Sequence, residues 1–306
     1  VGKTVTKSTE KTAEKIVVGV SDSASMKAVD WAIARAHVHP VELTLVAAYD
    51  WTGQPFSQVA GMLREVRSRI GAATPHTVVH LIESEDDPDE ALTRATVGAD
   101  LLVIGSHQRS QLQERFGMRS LKLARQENCA TVIVPEGWTP RHAGKIVVGL
   151  DQASSTSALE FAAHEAETSG ARLEVVHAWT APLPAFDPLV WIVDTESELR
   201  AAHRERLDAA LDLVQKRHPG ARVAGCLEEC LPVAALRERG AGADLVVIGS
   251  HRGGPIVRIA LGSTARELLH DAVTPLCIVP SAEGTESGAT EPDMIPVEAG
   301  ESVRGD

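Results

Sequence analysis

Aromatic residues make up only 3% of this 306-residue chain, and it holds just four cysteines. Four scattered thiols are too few for a disulfide scaffold, so a reducing cytoplasm is the expected setting. No apolar run approaches the roughly 20 residues that a bilayer-spanning helix needs, and no membrane span is expected. The opening stretch, VGKTVTKSTEKTAEK, is polar and lacks the apolar segment of a secretory signal. Positive charge is also short. Thirty Lys and Arg face 42 Asp and Glu, a net charge of -12, which argues against non-specific nucleic-acid binding and against an anionic membrane surface. The chain contains no GxxxxGK[ST], no HExxH and no nucleophile elbow, and no nucleophile, base and orienting residue fall into a catalytic set.

What is present is a packed, repeated α/β pattern. At 43% apolar and 24% charged, the chain is of globular composition, and its length suits two domains better than one. KIVVGL at 145–150 repeats KIVVGV at 15–20, ADLVVIGSH at 243–251 repeats ADLLVIGSH at 99–107, and CIVP at 277–280 echoes VIVP at 132–135. Such matches in the same order indicate duplication. The offset is about 130 residues at the first strand and about 144 at the fourth, so the second copy is about fourteen residues longer. The extra length falls in APLPAFDPLVW at 181–191, which reads as an excursion or lid, or equally as a domain or dimer contact.

Within copy one, short apolar runs at 16–20, 43–48, 77–82, 101–104 and 131–134 predict strands. Between them lie helical stripes: Val29, Ile33 and Ala36, then Val59, Met62, Leu63, Val66 and Ile70, a third helix from Pro88 to Val97, and a fourth around 121–126. Alternating strands and helices imply parallel strands with right-handed crossovers. The expected fold is therefore α/β: two similar doubly wound, Rossmann-like domains, each a five-stranded parallel sheet flanked by helices. The expected boundaries are a flexible arm at 1–14, domain one at 15–136, a linker at 137–144, domain two at 145–281 and a disordered acidic tail at 282–306. The fifth strands are apolar and expected at sheet edges, where they would pair across a two-fold axis or with each other inside one chain.

One stretch carries the functional reading. Residues 243–263 run from a buried strand, Leu245 to Ile248, through Gly249, Gly253 and Gly254 to Gly262 and Ser263, where a helical pattern resumes. Glycines let backbone N–H groups converge, and a new helix aims its unpaired N–H groups and positive dipole end at the same spot. This reads as a phosphate-binding loop. In a doubly wound sheet the ligand lies beyond the carboxyl ends of the strands where their order reverses, which should bring Asp151 close to Gly249, Gly254 and Ser263.

These residues resemble the universal stress protein family in its tandem two-domain form, over roughly 15–136 and 145–281. The likeness rests on VVGLD at 147–151, VVIGSHRGG at 246–254, LGST at 261–264 and PLCIVP at 275–280. Nucleotide-binding members show Gly-x2-Gly-x9-Gly-Ser/Thr, with an acid ending the first strand near the base or ribose. The resemblance implies that Asp151 is that acid, that Gly249 is the first glycine, and that Gly262 and Ser263 close the motif. Arg252 takes the middle glycine's place, with Gly253 and Gly254 just beyond. An arginine there disfavours positive φ and crowds the phosphates, or else pairs with them. Gly254, Arg258 and Thr264 are weaker candidates, and Arg258 reads more simply as a solvated helix charge.

Copy one departs further. Gln108 stands at the middle glycine's place, Gly117 comes one residue early, Met118 follows it, and Ser21 replaces the acid of Asp151. Losing two or three backbone donors, at about 1–3 kcal/mol each, would weaken nucleotide binding by orders of magnitude. The resemblance thus implies ATP, with Mg²⁺ on its phosphates, held by copy two. It further implies a regulatory role under stress, at most slow hydrolysis, and a homodimer. The alternative is a nucleotide-free tandem scaffold acting through oligomerisation.

Other candidates read as structural. Cys226 and Cys230 have no second pair or suitably spaced His, so buried or half-buried structural thiols are expected. His107 and His251 read as loop-stabilising. His164, His177, His203, His218 and His270 read as surface or helix-face residues. The acidic run ESEDDPDE from Glu83 reads as a solvated loop that places negative charge at the next helix's N-terminus.

Overall fold

The computed structural model describes residues 13–21, 25–48, 56–106, 129–151, 155–180, 193–250, 263–270 and 272–281. In copy one the elements are β1 (Glu14–Gly19), α1 (Ser25–Ala36), β2 (Val41–Ala48), α2 (Phe56–Ala73), β3 (Val78–Ser84), α3 (Pro88–Ala95), β4 (Leu101–Ser106) and β5 (Ala130–Pro135). In copy two they are β6 (Lys145–Gly149), α4 (Ser155–Ser169), β7 (Arg172–Trp179), α5 (Val193–Arg217), β8 (Arg222–Glu229), α6 (Pro232–Gly240), β9 (Leu245–Ser250), α7 (Ser263–His270) and β10 (Leu276–Pro280). The helix expected at 121–126 and the segment 181–191 lie outside the described residues.

The strands form one sheet in the order β3-β2-β1-β4-β5-β10-β9-β6-β7-β8. Within each half every pairing is parallel, and β1 and β6 sit where the order reverses. The fifth strands are not bare edges. β5 and β10 pair antiparallel, Val132 opposite Cys277, and thereby join the halves into a continuous sheet. Every residue of β5 is buried, so leaving it open would expose unpaired backbone beside apolar side chains. The free edges are instead β3 and β8.

The central strands are apolar without alternation because both their faces are covered. One face packs Ile16, Val18, Leu43, Leu101, Val148 and Leu173 into a core that runs through both halves, and the other packs Val17, Leu102, Val147 and Val246. The repeated Ala-Asp pair before β4 and β9 has a mechanical job. Asp244 accepts hydrogen bonds from the backbone N–H groups of Ala143, Gly144 and Lys145 at 2.7, 2.7 and 3.1 Å, pinning the start of β6. Asp100 does the same for Lys15 N–H at 2.8 Å. Just ahead, Gly98 and Gly242 hold φ of 76° and 74°, the left-handed turn that ends α3 and α6 and that a Cβ would strain.

The buried face of α1 is shifted from the stripe expected of Val29, Ile33 and Ala36. Ala28, Val29, Trp31, Ala32 and Arg35 are buried, whereas Ile33 and Ala36 are only partly so. The shift is explained across the join of the halves. Arg35 Nη1 and Nη2 donate to Glu165 of α4 at 2.6 Å each, and its Nε and Nη2 donate to Glu14 at 2.6 and 2.8 Å. The guanidinium also lies 5.4 Å over the ring of Trp31. Burial opposes the Glu165 charge, but hydrogen bonding and attraction from Arg35 outweigh it and hold the carboxyl below its usual range. Asp87 caps α3 by accepting from Asp89 N–H at 2.9 Å, with Pro88 at the first turn, so the acidic run serves that helix as expected.

Candidate functional site

At the switch point of copy two a cleft of about 410 Å³ opens beyond the carboxyl ends of β6, β7 and β9. Its floor is Gly149 at the end of β6 with Leu150 and Asp151 just beyond it, and Ile248, Gly249 and Ser250 from β9. A Cβ on Gly149 would stand 3.2 Å from Cδ1 of Leu236, so glycine lets α6 close on the strand end. Thr264 and Ala265 bring in the first turn of α7, and Pro232 and Leu236 supply an apolar wall from α6. The loops after the first and fourth strands therefore do meet. Asp151, Gly249 and Thr264 line one space, and Ser263 opens the helix beside it. Gly253, Gly254 and Gly262, like Arg252, Arg258, His107 and His251, lie outside the described residues, as does the copy-one loop after Ser106.

Arranged this way, the site offers an anion the N-terminus of α7, an apolar wall to an aromatic base, and the Asp151 carboxylate to a hydroxyl. The fourth side of the cleft is one the sequence reading missed. His177 and Trp179 on β7 and His203 on α5 line it. His177 is 3% exposed, not the surface residue expected of it. Along β7 it continues the inward row of Leu173 and Val175, as strand alternation requires. Its Nδ1 lies 3.0 Å from the Leu150 carbonyl and its Nε2 lies 2.9 Å from Nδ1 of His203. The His203 ring in turn stacks on Trp179, with centroids 4.9 Å apart and 24° between planes. Burial, the His177 ring and the charge of Arg206 push the His203 imidazole below its usual range. Trp179 is 4% exposed, and its Nε1–H has no partner among the described residues.

The remaining candidates scatter. Cys226 and Cys230 are free and half-buried. Burial and a hydrogen bond to Glu228 push the Cys226 thiol up to about 11, which makes it a poor nucleophile. His218 bridges Glu160 and Glu167 at 3.1 Å each, away from the cleft. Among the described residues no group of three His, Cys, Asp or Glu could hold a metal ion, and no helix is long and apolar enough to cross a membrane.

A duplicated doubly wound sheet with a cleft at its switch point defines the class: a tandem Rossmann-like α/β protein. Residues 12–135 and 142–280 each match the universal stress protein family, and the chain belongs to that family. Universal stress protein Rv2005c of Mycobacterium tuberculosis is 28% identical over 291 residues, spanning 86% of this chain and 96% of the relative. A universal stress protein of Mycolicibacterium smegmatis is 27% identical over 288 residues, with the same coverage of each. Among solved structures, that of a universal stress protein from Archaeoglobus fulgidus superposes with a TM-score of 0.62 at 16% identity. It covers 88% of this chain and 97% of that one, a likeness of fold over both copies.

Proposed function

We propose that the chain is a cytoplasmic, ATP-binding regulator of the stress response whose second copy holds the nucleotide. In this reading, residues 15–136 and 145–281 act as two domains, and copy one has lost the grip that copy two keeps. The observation that carries it is the convergence of Asp151, Gly249 and the first turn of α7 on a single cleft of about 410 Å³, large enough for a nucleoside and its first phosphates. Asp151 would meet the ribose or base. The N-terminus of α7 and the glycine loop at 249–263 would hold the polyphosphate, and Mg²⁺ would come with those phosphates. ATP supplies the negative charge that such a helix terminus favours. Binding there ties the end of β9 to α7, and through them could bias how copies of the chain associate, with a homodimer as the expected assembly.

Mass spectrometry of the purified protein after mild denaturation tests this reading. Co-purifying adenine nucleotide supports it, and ATP turnover above about 1 s⁻¹, the low end for ordinary enzymes, would replace the regulator with an enzyme. Protein that carries no nucleotide and takes none up at millimolar ATP would favour the nucleotide-free scaffold, for which the β5–β10 join already supplies a rigid frame.

A further inference from the structure

Superposing the two copies through their shared strand register shows what the histidine wall replaces. Lys145 pairs with Arg172 as Lys15 pairs with Glu42, so His177 occupies the place of Ala47. On the second helix, His203, Leu207, Ala210 and Val214 repeat the spacing of Val59, Leu63, Val66 and Ile70, so His203 stands where copy one has Val59. Ala47 and Val59 are core residues, 2% and 1% exposed. The copy that keeps the phosphate loop has exchanged an apolar contact for a polar pair. A polar pair in that setting is less favourable for folding than the apolar one unless every hydrogen bond is made.

The bonds also fix the protons. A carbonyl only accepts, so His177 Nδ1 donates to Leu150 O. Neutral His177 then has a bare Nε2, which accepts from Nδ1–H of His203. That leaves Nε2 of His203 as a bare acceptor, with no partner among the described residues. One added proton reverses that outer nitrogen wherever the charge settles. Either His203 gains the proton at Nε2, or His177 takes the charge and donates from its own Nε2 to Nδ1 of His203, which is then protonated at Nε2. In both cases the inner bonds survive and His203 Nε2 becomes a donor. A charge carried by His203 would rest against the face of Trp179, which favours a cation.

Resting on the nucleotide reading above, we propose that His203 is a ligand-contacting residue of the copy-two cleft, that His177 positions it, and that the pair takes up one proton when an anionic nucleotide binds. Among the described residues, Asp151 lines the same cleft, Arg200 and Arg206 stand one turn to either side of His203 on α5, and Glu229 pairs with Trp179 at the end of β8. Arg200 and Glu229 bond each other at 2.7 Å. The pairing of Glu160 on α4 with Arg217 lies fourteen residues along α5, about 21 Å away at 1.5 Å per residue. Burial, the His177 ring and Arg206 all disfavour an imidazolium on His203, a cost that an incoming anion would offset. His177 also holds the carbonyl next to Asp151, so the proton is coupled to the segment that meets the nucleoside.

The test is calorimetric titration of Mg·ATP into the full chain in two buffers of different ionisation enthalpy at pH 7, for wild type and His203→Asn. The asparagine amide still donates to His177 but cannot titrate. The titration of ATP's own terminal phosphate is common to both proteins and cancels. The expected result is an uptake larger in wild type by the better part of one proton. The wild-type affinity advantage should also grow about tenfold for each pH unit by which binding raises the pair's titration. Equal uptake and parallel pH profiles would overturn the proposal while leaving nucleotide binding intact. Absence of binding in both proteins would overturn the nucleotide reading and this proposal with it. Replacing the pair by its copy-one counterparts, His177→Ala with His203→Val, should likewise abolish the extra uptake in a folded protein.

Discussion

The sharpest structural prediction concerns Arg35, which holds the two halves together from within. It is 8% exposed and makes four hydrogen bonds of 2.6 to 2.8 Å, two to Glu14 and two to Glu165, itself 5% exposed. Arg35→Leu leaves Glu165 as an uncompensated charge in a low-dielectric site, which should lower stability by about 3–5 kcal/mol. Removing both partners, Arg35→Leu with Glu165→Leu, should restore most of that, because the cost lies in the orphaned charge more than in the lost bond. The contrast is the exposed Arg200–Glu229 pair, at 59% and 38% exposure, where Arg200→Ala should cost less than about 1 kcal/mol. Urea unfolding followed by circular dichroism, extrapolated to water, measures these three and the single Glu165→Leu that closes the cycle. The Glu165 carboxyl sits below its ordinary value, so its contribution is complete above about pH 4.3, the unfolded value, and fades as pH falls through the folded one. The stability gap between wild type and Glu165→Gln should close in that acidic range. An Arg35→Leu variant within about 1 kcal/mol of wild type, or single losses that simply add in the double variant, would show that Glu165 is not left as a buried uncompensated charge.

Asp244→Ala removes the acceptor shared by three backbone N–H groups at the start of β6, two of them open to water, and should cost about 1 kcal/mol, with Asp244→Asn recovering part of it in thermal melts. His218 can donate to both Glu160 and Glu167 only as the imidazolium, and although burial opposes that charge, its two partners raise its titration above the usual value. Its stabilising contribution is therefore full below about pH 6.5 and fades as pH climbs through the folded value. The melting-temperature advantage over His218→Ala should be largest near pH 6 and vanish in alkali.

Much of the frame was legible because it is written in local pattern. Doubled KIVVG and VIGSH segments, apolar runs without alternation and intervening helical stripes are enough to give a tandem doubly wound sheet. The meeting of Asp151 with Gly249 followed from the rule that ligands lie where strand order reverses. What stayed hidden depends on contacts between distant positions. Nothing in α1 alone says that Arg35 faces inward, since its partner Glu165 is 130 residues away. His177 and His203 looked scattered for the same reason, although aligning the copies residue by residue would have set them opposite Ala47 and Val59. The pairing of β5 with β10 was one of two options open to an apolar fifth strand, and only the three-dimensional join selects between them.

A nucleotide held in copy two and nowhere else on the chain is the proposal on which the functional reading stands. Calorimetric titration of Mg·ATP measures it directly, with Thr264→Glu as the companion protein. A carboxylate in the first turn of α7 suits that helix's dipole, so the fold is kept, but it repels phosphate. One site per chain is expected in the wild type and none in Thr264→Glu. Two sites per chain, or one site that survives the substitution unchanged, would contradict it.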